Sequence, residues 1–251
     1  MKIAAQLFTV RKFMDSDEDV LKTFEKIRKI GYEAVQISGI SAYHPRNIVK
    51  ALKENGLQAC VTHNSFDRIV GDTDALIEEN KLFDTKYIGI GCFSGKSLDD
   101  YKKFLDDISP ALEKIHAAGL GFTYHNHDHE FKIYDGVRPI DYLREHTDKE
   151  RFSFLPDMYW IQRAGGSPIK FLKDFQGRTP IVHFKDMRVP PEEGKTSMAE
   201  IFEGNMDYES IYAECIARKV EWAAIEQDEC DGDPFESLAI SLKNLKERKM
   251  C

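Results

Sequence analysis

The sequence predicts an α/β chain folded as a single (β/α)8 TIM barrel across residues 1–251. Short β-rich runs alternate with amphipathic segments from end to end, one unit every roughly 25–40 residues, the spacing that a strand–helix unit needs. Such alternation implies a parallel sheet with helices outside it, and eight units in about 250 residues is the size of a closed barrel. No linker rich in Ser, Gly or Pro divides the chain. The loop Thr9-Val10-Arg11-Lys12 lacks the glycine fingerprint of a doubly wound open sheet.

The predicted strands are 2–9, 34–38, 59–63, 87–92, 121–127, 152–157, 181–185 and 222–227. Between them the helices carry their own start and stop signals. Ser16 precedes a stripe of Val20, Leu21, Phe24, Ile27 and Ile30 that Gly31 stops. Ser97 precedes Tyr101, Phe104, Leu105, Ile108, Leu112 and Ile115, with Gly119 beyond. Ser167-Pro168 and Asp233-Pro234 pair a capping residue with a first-turn proline and open two more helices.

Composition excludes several function classes. Hydrophobic residues make up 42% and charged residues 31%, so the chain is neither disordered nor fibrous. With 35 Lys+Arg against 43 Asp+Glu the net charge is -8, which disfavours phosphate backbones and anionic lipid. The expected partner is a small molecule, not nucleic acid or membrane, and the composition is compatible with a homo-oligomer. No apolar run approaches the ~20 residues of a spanning helix, and no signal peptide is visible. Five widely spaced cysteines without a CxxC pair read as reduced thiols. Together these features predict a cytoplasmic protein.

In a barrel of this kind the site gathers at the C-terminal ends of the strands. Those positions offer Gln6, Gln36, His63, the run 124–130, Asp157, His183 with Lys185, and Glu226. Singly, each has an ordinary explanation: Asp157 as a helix cap, His183 as a satisfied half-buried residue, Glu226 as part of a solvated loop. Together, Glu130, Asp157, His183 and Glu226 would converge on one rim. Three carboxylates and an imidazole around one point repel one another unless a cation joins them. That donor set suits one divalent metal ion, Mn²⁺, Mg²⁺, Co²⁺ or Zn²⁺.

Tyr-His-Asn-His-Asp-His-Glu-Phe (124–131), Asp-Met-Tyr-Trp with Arg-Ala-Gly after it (157–165), His-Phe-Lys-Asp-Met (183–187) and Ile-Glu-Gln-Asp-Glu (225–229) carry a family likeness. Over essentially the whole chain the sequence resembles the sugar phosphate isomerase/epimerase family of the xylose isomerase-like barrels. The resemblance implies one divalent metal held by a Glu–Asp–His–Glu quartet, hence Asp157, His183 and Glu226 here. Glu130 is the preferred first ligand, with His125 or His127 as the substitute. Trp160 stands where many members carry a histidine, and its indole would pack on the apolar face of a sugar ring.

The chemistry implied is proton abstraction next to a carbonyl through a metal-stabilised enediolate. Glu130 and Glu226 are the expected bases, with His127 competing for one role. Lys185 would neutralise oxyanion charge, or else pair with Asp157 or Asp186. His63, Gln36 and His125 are candidate substrate contacts. Five acids between Glu226 and Asp233, set against Arg188 and Lys195, argue for an unphosphorylated sugar or keto-sugar. An isomerase or epimerase is expected. A lyase or dehydratase is the alternative on the same site, ahead of an apurinic-site endonuclease or a non-catalytic sugar-binding barrel.

Overall fold

The computed structural model describes residues 1–190 and 195–251. Its strands are β1 (Lys2–Gln6), β2 (Ala34–Ile37), β3 (Gln58–Asn64), β4 (Tyr87–Ile90), β5 (Gly121–His125), β6 (Ser153–Leu155), β7 (Ile181–Phe184), β8 (Asp186–Arg188), β9 (Ser197–Ala199) and β10 (Trp222–Ile225). Eight of them form one sheet in the order β6-β5-β4-β3-β2-β1-β10-β7. Every neighbouring pair in it is parallel. The two end strands meet through a parallel bridge between Asp157 and His183, so the sheet curls into a nearly closed barrel. Closure is thin there because Pro156 has no N–H to donate and Asp157 leaves the strand to start a helix.

The predicted caps do the work assigned to them. Ser16 accepts from the Asp19 N–H at the start of helix Asp17–Ile30, and Gly31 ends that helix at φ 112°, a left-handed conformation open to glycine. Ser97 and Asp100 form a reciprocal capping box on helix Leu98–Ala117. Ser167 and Asp233 cap Pro168–Asp174 and Pro234–Glu247. Among the described residues no helix is long and apolar enough to cross a membrane.

Several strands stop short of their predicted ends. The first gives way at Leu7 to a 3₁₀ segment, because the Gln6 side chain accepts from Phe8 N–H. After β7, β8 and β9 pair antiparallel, an element absent from the predicted strands.

Inside the barrel lies a layer of mostly small apolar residues, including Ala4, Ala34, Val61, Leu155, Ile181 and Ala224, all buried. Two residues farther along each strand path stand Gln6, Gln36, His63, Asp157, His183 and Glu226. Side chains in a strand share a face at period two, so the apolar layer is the floor beneath a polar one. The fourth strand adds no polar side chain to this layer. A Cβ at Gly89 would meet the Thr62 carbonyl at 2.7 Å and Thr123 Oγ1 at 2.9 Å, and one at Gly91 would crowd the His63 ring.

Candidate metal centre and active site

The polar layer brings His125, Asp157, His183 and Glu226 together, with one donor atom from each lying within 4.8 Å of the others. All four are buried. His183 Nδ1 lies 2.9 Å from Glu226 Oε2 and 3.6 Å from Asp157 Oδ2, and His125 Nε2 lies 3.4 Å from that same Asp157 oxygen.

Each donor is held from behind. His183 donates from Nε2 to Gln36 Oε1 at 2.8 Å, and His125 donates from Nδ1 to the Gly91 carbonyl at 2.9 Å. Those bonds fix the tautomers and leave the other ring nitrogens facing carboxylates. Gln6 Nε2 donates to Glu226 Oε1 at 2.6 Å, leaving Oε2 for the centre. Asp157 divides its oxygens, with Oδ1 capping helix Met158–Arg163 by accepting from Trp160 N–H at 3.1 Å and Oδ2 facing the imidazoles. The helix-cap explanation and the ligand explanation of Asp157 therefore describe different atoms of one carboxylate.

An imidazole nitrogen facing a carboxylate needs a proton or a cation between them. His183 Nδ1 is buried without a well-formed hydrogen bond and faces Glu226 Oε2, an arrangement that fits a divalent ion. Two imidazoles and two carboxylates suit Mn²⁺, Co²⁺ or Zn²⁺ better than Mg²⁺, which prefers oxygen alone.

Lys185 is fully buried at the edge of this group. Its Nζ lies 3.0 Å from Asp157 Oδ2, 2.9 Å from Glu226 Oε2 and 2.8 Å from Asp228 Oδ2. Burial alone would raise the Asp157 carboxyl, but Lys185 and the two imidazoles outweigh it and hold it well below the usual carboxylate range. The same contest lowers Glu226, with Lys185 and His183 as the opposing charges. Of the two pairings considered for Lys185, that with Asp157 is present. Asp186 instead accepts from the backbone N–H groups of Met187, Phe202, Gly204 and Met206.

Glu130 stands outside the group, and this corrects the expected ligand set. After His125 the chain leaves the sheet and turns through the 3₁₀ segment His129–Phe131. That turn buries the Glu130 carboxylate away from the centre, where it accepts from Tyr124 Oη at 2.9 Å and from the His127 N–H at 2.8 Å, with His129 Nε2 at 3.1 Å. From the fifth strand it is His125 that joins the group. Gln36 also differs from expectation, since its carbonyl oxygen is engaged by the His183 imidazole. Gln6 and Asp228 stand at strand ends named from the sequence, but the pairing of Gln6 with Glu226, 220 positions away, and of Asp228 with Lys185 has no local signal.

A cleft of about 450 Å³ opens beside the group, with His127, Tyr159, Trp160, Phe8, Met198 and Asp228 in its walls. His127 and Trp160 pack at 5.3 Å between ring centroids. Burial, reinforced by His125, pushes His127 down to about 2, so its imidazole is neutral. His63 lies deeper, 5.2 Å from the His125 ring and 5.4 Å from the His183 ring, with Nε2 buried and unpartnered.

The profile of the xylose isomerase-like TIM barrel family matches residues 24–247. An inosose dehydratase from Clostridium beijerinckii is 24% identical over 216 residues, covering 78% of this chain and 67% of its own. A sugar phosphate isomerase/epimerase from Parabacteroides distasonis superposes with a TM-score of 0.83 at 16% identity, covering 99% of this chain and 94% of the other. The 3-keto-D-glucoside 4-epimerase of E. coli gives a TM-score of 0.72 at 17% identity, covering 98% and 99%. The structural likenesses establish the fold and the profile match establishes the family: this chain belongs to the xylose isomerase-like TIM barrel family.

Proposed function

We propose that this chain is a divalent-metal-dependent enzyme that moves a proton on carbon beside the carbonyl of a keto-sugar or related polyol, as an isomerase or epimerase. The convergence of His125, Asp157, His183 and Glu226 at the barrel mouth carries this reading. A divalent ion bound there supplies Lewis-acid polarisation of a carbonyl and its neighbouring hydroxyl.

The chain's own residues supply the rest. Glu226, with Oε1 fixed by Gln6, is the proton-accepting carboxylate. His127 replaces Glu130 as the second base, because it is neutral and lines the cleft. Lys185 presents an ammonium to the oxygen on which charge develops as the proton leaves carbon. Trp160 offers an apolar face to the ring, and His63 is the inner hydroxyl contact.

Phosphate does not fit this cleft. Asp228, Glu229 and Asp231 line it, Arg188 is paired with Asp231, and Arg163 lies 3.6 Å from Asp128. The substrate is therefore an unphosphorylated carbohydrate.

The relative named inosose dehydratase favours a second outcome on the same site, in which proton removal is followed by loss of a β-hydroxyl. Incubating the Mn²⁺-loaded protein with inososes and 3-keto-glucosides in D₂O separates the two. Deuterium at the carbon beside the carbonyl with all oxygens retained indicates isomerisation or epimerisation, and an unsaturated product indicates dehydration. No exchange and no elimination on any of these substrates would sink both.

A further inference from the structure

We propose that Cys92, His127 and His129 form a second metal site, separate from the His125–Asp157–His183–Glu226 group, that takes a zinc ion. Cys92 lies two residues past β4, and His127 and His129 lie just past β5, on adjacent strands. One donor atom from each lies within 4.8 Å of the other two. The two imidazoles run side by side, with centroids 5.3 Å apart and planes 14° from parallel.

The backing of the two histidines points to a ligand. His129 Nε2 faces the Phe93 carbonyl at 2.8 Å and Glu130 Oε1 at 3.1 Å, so its N–H donates there. Burial opposes the charge, but hydrogen bonds to Cys92, Glu130 and Phe93 outweigh it and push His129 up to about 10, so Nδ1 carries a proton that an incoming ion displaces. A histidine whose far nitrogen is anchored by a carboxylate and a carbonyl is the arrangement that orients metal-ligating imidazoles. Glu130, fully buried and itself held by Tyr124 and the His127 N–H, thereby gains the role of orienting that imidazole. His127 Nδ1 is buried with no hydrogen-bond partner. Cys92 is exposed and free of any disulfide.

One thiolate and two imidazoles select a borderline-soft ion such as zinc over Mg²⁺ or Mn²⁺. Tetrahedral zinc bonds place their donors about 3.5 Å apart, so the set need contract by no more than about 1.3 Å. Cys92, on the surface, is the side chain free to rotate and close it. Binding replaces the Cys92 thiol proton and the proton on His129 Nδ1, both released to solvent. Three protein donors leave a fourth position to water or a ligand, and the ion ties the segment after β4 to the wall of the cleft that His127 lines. While zinc is held there the His127 imidazole is occupied and does not act as a base, so the proposed proton transfer belongs to the zinc-free state of this site.

Cobalt titration of the full chain tests the site, because a thiolate-to-cobalt charge-transfer band in the near ultraviolet arises only where sulfur is a ligand. The wild type and Glu226→Gln are expected to show the band, and Cys92→Ser to lose it together with one bound zinc ion. Zinc is also expected to protect Cys92, and not Cys251, from iodoacetamide. Absence of the band at saturating cobalt, its survival in Cys92→Ser, or its loss in Glu226→Gln would overturn the proposal. None of these outcomes depends on turnover, so this inference can fail while the proposed reaction stands.

Discussion

The two ends of the barrel are built from the same strands and differ in what they do with polar groups. At the N-terminal end, cavities of about 680 and 640 Å³ open around Lys2, Gln58 and Trp222. The polar contacts there are surface ones: Tyr87 Oη lies 3.1 Å from Glu221, and Lys2 sits 4.8 Å over the Trp222 ring. At the C-terminal end the cleft is smaller, about 450 Å³, yet beside it lie buried imidazoles of His63, His127 and His183 with ring nitrogens that lack ordinary partners. Space alone costs little to leave open on a surface, whereas a buried unpartnered polar atom costs about 1–3 kcal/mol. The second kind of feature is the better guide to chemistry.

Three changes would break or sharpen that contrast. Glu226→Gln keeps the shape of the mouth and removes its charge and basicity. Solvent-deuterium exchange into substrate should fall by about 10³-fold while the circular dichroism spectrum is unchanged. Full exchange in this variant would remove Glu226 from the reaction. Next in size is Lys185→Met, which strips the ammonium from Asp157, Glu226 and Asp228. The metal-free protein should lose about 3–5 kcal/mol in urea unfolding, because buried carboxylates are left without their cation. Added Mn²⁺ should recover much of that loss, and equal loss with and without metal would show that the lysine and the ion do not share a site. The smallest effect belongs to the opposite end. Trp222→Ala should cost about 2 kcal/mol in thermal unfolding and leave the turnover number unchanged. A folded Trp222→Ala protein without turnover would move the chemistry away from the mouth.

The barrel itself was legible because its signals are local. Ser16, Gly31, Ser97, Ser167-Pro168 and Asp233-Pro234 mark helix ends by a side chain or a backbone angle within a few residues. Strand ends were overextended for a physical reason. The amides of His127, Asp157 and Gln227 leave the sheet and donate to Glu130, Asn126 and Thr9 side chains, whereas the predicted strands extend to those residues. Asp157, His183 and Glu226 could be placed on the rim from their strands alone. Glu130 could not, since a three-residue 3₁₀ turn reverses its direction and no periodicity announces that. The groups that steady Glu226 and His183, Gln6 and Gln36, lie 220 and 147 positions from their partners, and those pairings form only once the barrel closes.

Asp157 has one further consequence. Its two oxygens belong to different structures, one to the start of a short helix and one to the ligand group, and that helix carries Tyr159 and Trp160 into the cleft wall. A pull on one oxygen is therefore felt at the other. Substitution here cannot alter the donor group at the barrel mouth while leaving the shape of the cleft wall untouched, so evolution or an engineer must change both at this position together.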